Sequence, residues 1–290
     1  MAVSVRAARR AAPAKLNLYL HVIGRRADGY HLLDSLVAFA DIADVVTASG
    51  APRLELRVEG PFAPALAGAG EDNLVRRAAA ALAERAGIPL RAALVLEKNL
   101  PVASGIGGGS SDAAATLHAL AELWSLDLRE PRFAGLAESL GADVPVCLLG
   151  RTAWLGGIGE QVSPAPSLPD CSVLLANPGI AVPTPAVFKA RTGAFSEPAR
   201  FELPLGDVRD LAAWLAARRN DLTDAAISLA PEIAEVLRAL SALPGALLAR
   251  MSGSGATCFA LFAEPSAARA AAARLAAERT GWWVAAGPLI

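Results

Sequence analysis

The chain has 290 residues, 54% of them hydrophobic, enough for one large domain or two ordinary ones with buried cores. Its 27 basic and 28 acidic side chains leave a net charge of −1 with no basic block, which argues against a nucleic-acid surface. No stretch approaches the roughly 18–20 apolar residues that a membrane-spanning helix requires.

Met1 to Ala12 carries Arg6, Arg9 and Arg10 among alanines. It lacks the apolar stretch of a secretion signal, and it reads as a soluble lead-in to a cytoplasmic protein. Cys147, Cys171 and Cys258 are odd in number and far apart. They form neither a CxxC pair nor a metal spacing, so they read as buried thiols in a reducing compartment.

From Lys15 to Val22 the chain alternates. Leu16, Leu18, Leu20 and Val22 share one face, and Lys15, Asn17, Tyr19 and His21 the other. A period of two predicts a half-buried strand. The Asp28-Gly29 pair predicts a turn into a second strand from Tyr30 to about Ala40. A strand over 53–58, a helix over 72–87 and a strand over 92–98 follow.

Beyond the glycine-rich run 105–111, Leu117, Leu120 and Trp124 predict an amphipathic helix with Ser110 or Ser111 as N-cap. Pro131 to Leu140 predicts another helix, closed by Gly141. Pro164, Pro166 and Pro169 mark a linker, so the expected domains are 1–163 and 164–290.

Past the linker the pattern predicts a strand over 172–176 and a helix starting at Thr184-Pro185, with the threonine as cap. A helical stretch over 220–240 is interrupted at Pro231. Strands flank the turn 251–255, a long alanine helix spans 265–279, and a last strand lies near Trp282. Strands and helices mix in both halves, which gives an α+β fold in two layers.

Gly105-Ile106-Gly107-Gly108-Gly109-Ser110-Ser111 joins a strand to a helix. Glycines let backbone approach a ligand, and a helix start offers free N–H groups and a partial positive charge. Together they make a phosphate site. The run lacks the Gly-Lys-Ser/Thr ending of a Walker loop and the third glycine of a dinucleotide fingerprint. A flexible connection is the plainer reading, though four glycines exceed what a connection needs.

Phosphoryl transfer to an alcohol requires a grip on phosphates, charge stabilisation and a carboxylate to take the hydroxyl proton. Lys15 and Asn17 point away from the leucines, toward a site or toward solvent. Asp143, in Gly141-Ala-Asp-Val-Pro145, reads as a helix N-cap that could also serve as a base. Asp112, in the first helical turn, either binds a cation or faces away. His31 could hydrogen-bond a planar ring beside Tyr30.

In this order the segments resemble the GHMP small-molecule kinases. The carriers are Pro101-Val102-Ala103-Ser104-Gly105-Ile106-Gly107-Gly108-Gly109-Ser110-Ser111 and the late Gly253-Ser254-Gly255 loop. Pro13 to Leu20, Arg25 to His31, Gly141 to Pro145 and Pro183 to Phe188 resemble the branch that acts on a cytidyl diphosphate sugar-alcohol in non-mevalonate isoprenoid synthesis.

The resemblance implies an amino-terminal domain like the second domain of ribosomal protein S5, a ferredoxin-like carboxy-terminal domain and an active site in the cleft between them. It implies that Asp143 is the base and Lys15 its electrostatic partner, with Asn17 orienting them. Pro101 to Ser111 would hold ATP. Tyr30 and Phe188 would sandwich the cytosine, with His31 at its edge and Thr184 in the same pocket. ATP implies Mg2+, for which no protein ligand is named. The expected assembly is a monomer or weak homodimer, with neither nucleic acid nor membrane as partner. Rival readings are a family kinase for homoserine, mevalonate or a sugar, and a sensor on an inactive kinase scaffold. Ala103-Ser104 and Ile106 depart from the family loop, where glycines and leucine are common.

Overall fold

The computed structural model describes residues 7–201 and 205–290. In chain order these hold β1 (Ala7–Arg25), β2 (His31–Ser49), β3 (Glu55–Glu59), α1 (Leu74–Ala86), β4 (Ala93–Glu97), α2 (Gly108–Trp124), α3 (Leu136–Leu140), α4 (Val144–Leu149), β5 (Ala153–Gly156), β6 (Gln161–Pro164), β7 (Ser172–Asn177), α5 (Thr184–Ala190), α6 (Val208–Ala216), α7 (Thr223–Leu229), α8 (Glu232–Ser241), β8 (Leu248–Met251), β9 (Cys258–Phe262), α9 (Pro265–Glu278) and β10 (Trp283–Pro288). Among them no helix is long and apolar enough to cross a membrane.

The chain forms two compact units interleaved in sequence. The first takes residues up to Ala14, Ala43–Val102 and Gly108–Gly150; the second takes Lys15–Ile42, Ala103–Gly107 and Arg151–Ile290.

In the first unit β3 runs parallel to β4, and β4 pairs antiparallel with the far half of β2, Val45 opposite Glu97. The sheet is covered by α1 and α2. Asn73 caps α1, its Oδ1 accepting from the Val75 amide at 2.9 Å, and Gly87 ends it at φ +67°, a conformation that costs glycine nothing. Val75, Ala78, Ala79 and Leu82 recur at helical spacing and pack with Leu94, Leu96, Leu117 and Leu120 into one core. Each fully buried leucine contributes about 1.5–3 kcal/mol.

In the second unit the near half of β2 pairs antiparallel with β5, and β5 with β6. A separate antiparallel sheet has the order β10-β7-β9-β8. Its central strands are buried along their whole length, so they read as continuous apolar runs rather than alternating ones. Ile233, Val236 and Leu240 of α8 and Ala268, Ala271 and Leu275 of α9 join its core.

Several local expectations change. The run from Lys15 is the middle of a 19-residue strand, and Ala7 to Ala12 belong to it; residues 1–6 of the expected lead-in lie outside the described residues. That run is buried on both faces rather than half-buried. Helix α2 starts at Gly108, so Ser110 and Ser111 sit inside its first turn instead of capping it. The helix expected over 131–140 splits into a 3₁₀ turn, Pro131–Phe133, and the short α3, because Gly135 takes φ +72° between them. Thr184 does not cap α5: Pro183 holds the cap position and no side chain caps it. Ser163 and Pro164 of the expected linker pair in β6. The three cysteines are buried thiols that form no disulfide with one another, as expected, and Trp282 and Trp283 are half-buried.

Candidate active site

Lys15, Asn17, Tyr19 and His21 are at most 8% exposed, although they form the polar face of β1. Residues distant in sequence cover them. Tyr19 packs edge-on to Trp214, with ring centroids 5.6 Å apart. Its hydroxyl donates to Asp34 at 2.6 Å, and burial beside that carboxylate pushes the phenol far up. His21 Nδ1 lies 2.8 Å from the Glu197 carbonyl.

Within the second unit this face meets the first half of the glycine loop. The Lys15 amide donates to the Ile106 carbonyl at 2.9 Å. Gly107, at φ +64°, sits tightly against Lys15: a Cβ there would lie 3.0 Å from the Lys15 Cβ, in a conformation that strains any side chain. The Asn17 amide donates to Ser252 Oγ at 3.1 Å, and Ser252 Oγ donates to the Gly105 carbonyl at 2.9 Å. Gly105 and the late Gly253 loop touch backbone to backbone, so a Cβ on Gly105 would sit 2.5 Å from the Ser252 carbonyl. Asn220 steadies that late loop, its amide donating to the Met251 and Gly253 carbonyls at 2.9 and 2.8 Å. Ala103 has φ +52°, which explains why a glycine would be at ease there.

The second half of the loop opens α2 in the first unit. Ser111 Oγ donates to the Pro13 carbonyl at 2.7 Å. Asp112 follows in α2. It is buried, its Oδ2 accepting from Lys98 Nζ at 2.8 Å, and the same ammonium binds Asp44. Asp44 Oδ1 accepts from the amides of Asn99 and Leu100. Burial pushes the Asp112 carboxyl up to about 7, with Lys98 opposing and Asp44 adding to the rise. Burial disfavours the Lys98 ammonium, but the charges of Asp112 and Asp44 outweigh it and hold its pKa above the usual lysine value.

Asp143 also belongs to the first unit, half-buried at the N-cap position of α4. Its carboxylate makes no capping hydrogen bond, contrary to the expected cap.

Of the expected base pocket, His31 and Phe188 stack at 5.3 Å between centroids and 21° between planes. Tyr30 is 60% exposed in the adjoining turn. Burial, then the charges of Arg25 and Arg191, push the His31 pKa down, so its ring is neutral at pH 7. Thr184 Oγ1 lies 2.7 Å from Ser254 Oγ, which ties α5 to the late glycine loop.

Lys98, Asp44, Ser35, Ser252 and Asn220 escaped notice as individual site residues. Lys98 ends an alternating strand just before the loop, the one local signal among them.

Two family profiles match this chain: GHMP kinases N terminal domain over residues 73–151 and GHMP kinases C terminal over 201–279. The 4-diphosphocytidyl-2-C-methyl-D-erythritol kinase of Cereibacter sphaeroides is 56% identical over 281 residues, covering 96% of this chain and 98% of that protein. The like-named protein of Paramagnetospirillum magneticum is 52% identical over 279 residues, covering 96% and 97%. A crystal structure of 4-(cytidine 5'-diphospho)-2C-methyl-D-erythritol kinase superposes with TM-score 0.76 at 39% identity, covering 97% of this chain and 98% of that one. Homoserine kinase from Cytophaga hutchinsonii shares the fold at TM-score 0.69 and 18% identity, covering 100% and 96%. The α+β architecture, the glycine loop opening α2 and these full-length likenesses agree: the chain belongs to the GHMP kinases, in the group of the 4-diphosphocytidyl-2-C-methyl-D-erythritol kinases.

Proposed function

We propose that this kinase transfers the γ-phosphoryl group of ATP to the 2-hydroxyl of 4-diphosphocytidyl-2-C-methyl-D-erythritol, a step in non-mevalonate isoprenoid synthesis. The observation that carries the reading is Lys15, buried and pressed against Gly107 of the glycine loop. A cation there meets charge developing on a transferring phosphoryl group. Residues Pro101 to Ser111 grip the ATP phosphates. Asp143 takes the proton of the acceptor hydroxyl, and Lys15 stabilises the reacting oxygen. Asn17 and Thr184 contact the acceptor, while Tyr30 and Phe188 hold the cytosine and neutral His31 hydrogen-bonds its edge.

Magnesium would arrive with ATP. It would be held mainly by phosphate oxygens and water, neutralising charge on the nucleotide.

The test is ADP release with ATP, magnesium and four acceptors: the cytidyl compound, mevalonate, homoserine and galactose. Turnover with the cytidyl compound alone is expected. Turnover with another acceptor instead would keep the kinase and discard the base pocket.

A further inference from the structure

Asn17 is 3% exposed, and its side chain is only half satisfied. Its Nδ2 donates to Ser35 Oγ at 2.8 Å, while its Oδ1 is buried and accepts no hydrogen bond from any of the described residues. A buried acceptor left alone is costly, and in a native site it calls for an explanation. Ser35 supplies half of it. Its Oγ donates to the Tyr19 carbonyl at 2.5 Å. A hydroxyl carries one hydrogen, so with that hydrogen given away Ser35 can only accept from Asn17. The amide must then turn its NH2 toward Ser35 and its carbonyl oxygen away. The orientation of an amide is fixed by such a network rather than by its shape. The backbone offers no alternative freedom, since the Asn17 N–H is bound to Ser252 Oγ.

We infer that Ser35 is a positioning residue: it sets the polarity of the Asn17 amide so that Oδ1 accepts a hydrogen bond from a hydroxyl of the acceptor substrate. This rests on the reading that Asn17 contacts the acceptor. A site built this way demands a donor at that point. An acceptor with a methoxy, keto or deoxy carbon there leaves Oδ1 unpaired and is rejected.

The experiment is steady-state kinetics of the full chain and its variants with the cytidyl acceptor, varying ATP and acceptor separately. Ser35→Ala frees the amide to flip, and kcat/KM for the acceptor should fall about tenfold while the KM for ATP stays within about twofold. Ser35→Thr retains the hydroxyl and should recover most of the loss. Asn17→Asp provides acceptor oxygens in either orientation, so adding Ser35→Ala to it should cost less than about twofold in acceptor kcat/KM. If Ser35→Ala does not fold, Ser35→Cys, close in size and a weak donor, takes its place in both arms.

The inference is overturned if Ser35→Ala changes acceptor and ATP parameters alike, if acceptor kcat/KM stays within about twofold, or if the loss is equal in the Asn17→Asp background. A wild-type chain that fails to phosphorylate the cytidyl acceptor removes the functional reading and this inference with it. A wild type that turns over normally, beside an indifferent Ser35→Ala, removes the inference alone.

Discussion

The two units hold their shares of one glycine loop by opposite chemistry. In the second unit Gly105 and Gly107 are held by neutral hydrogen bonds and close backbone contact, through Lys15, Asn17 and Ser252. In the first unit the rest of the loop rides on α2, whose next residue, Asp112, is bound by a buried ammonium shared with Asp44. Neutral networks are directional and insensitive to pH, and they spread the stabilisation over many weak bonds. A buried ion cluster concentrates it in one side chain, and its loss leaves charge stranded in a poor dielectric. The shared loop thus has one support that should fail gradually and another that should fail at once.

The largest effect expected separates chemistry from support. Asp143 lies in the ion-braced unit but caps no helix. Asp143→Ala should lower kcat by roughly 10²–10⁴-fold, the usual worth of a general base, with ATP and acceptor binding nearly intact. Near-normal turnover would sink its role as base, and a large fall in melting temperature would make it a structural residue like Lys98.

Lys98 should show the reverse pattern. Lys98→Met keeps the length of the side chain and removes the ammonium between two buried carboxylates. Breaking a buried pair by removing one partner costs about 3–5 kcal/mol. Urea unfolding of wild type and variant measures it. A cost below about 1 kcal/mol would mean that the carboxylates find other partners or a proton, and the contrast between the two units would weaken.

How far these features could be read in advance follows the same division. The glycine loop and the alternation of β1 are local patterns, and both are where the sequence puts them. The burial of Lys15 and Asn17 was not readable, because what covers β1 comes from far along the chain: Ser252 lies 235 positions from Asn17. The ion cluster was equally hidden. Lys98 reaches Asp112 across 14 positions but Asp44 across 54, and no spacing rule links a strand residue to both. Thr184 was misread for a related reason. A threonine before proline at a helix start is a reasonable cap by local rules, yet its hydroxyl meets Ser254, 70 positions away. Period and turn chemistry are local; the polar partners that decide a site are mostly not.

The smallest effect expected tests whether the ionic support titrates where the neutral one does not. Asp112 has its carboxyl raised from an ordinary 3.8 to about 7 in the folded chain, chiefly by burial. Between those values the folded state binds more protons at this site than the unfolded state does. Its contribution to stability is then fully present below about pH 4 and is lost as pH rises toward 7, with a slope of at most about 1.4 kcal/mol per pH unit. Asp112→Asn cannot titrate, and effects from other groups largely cancel in the difference between the two proteins. The stability of wild type minus that of Asp112→Asn, from urea unfolding at pH 5, 6, 7 and 8, should decline up to about pH 7 and then level. A flat difference across the series would mean that Lys98 keeps Asp112 ionised throughout, so that the cluster behaves as a fixed ion pair. Ser35→Ala, taken through the same series, should run parallel to wild type, because neither Ser35 nor the Asn17 side-chain NH2 and Tyr19 backbone carbonyl it joins can gain or lose a proton in that range.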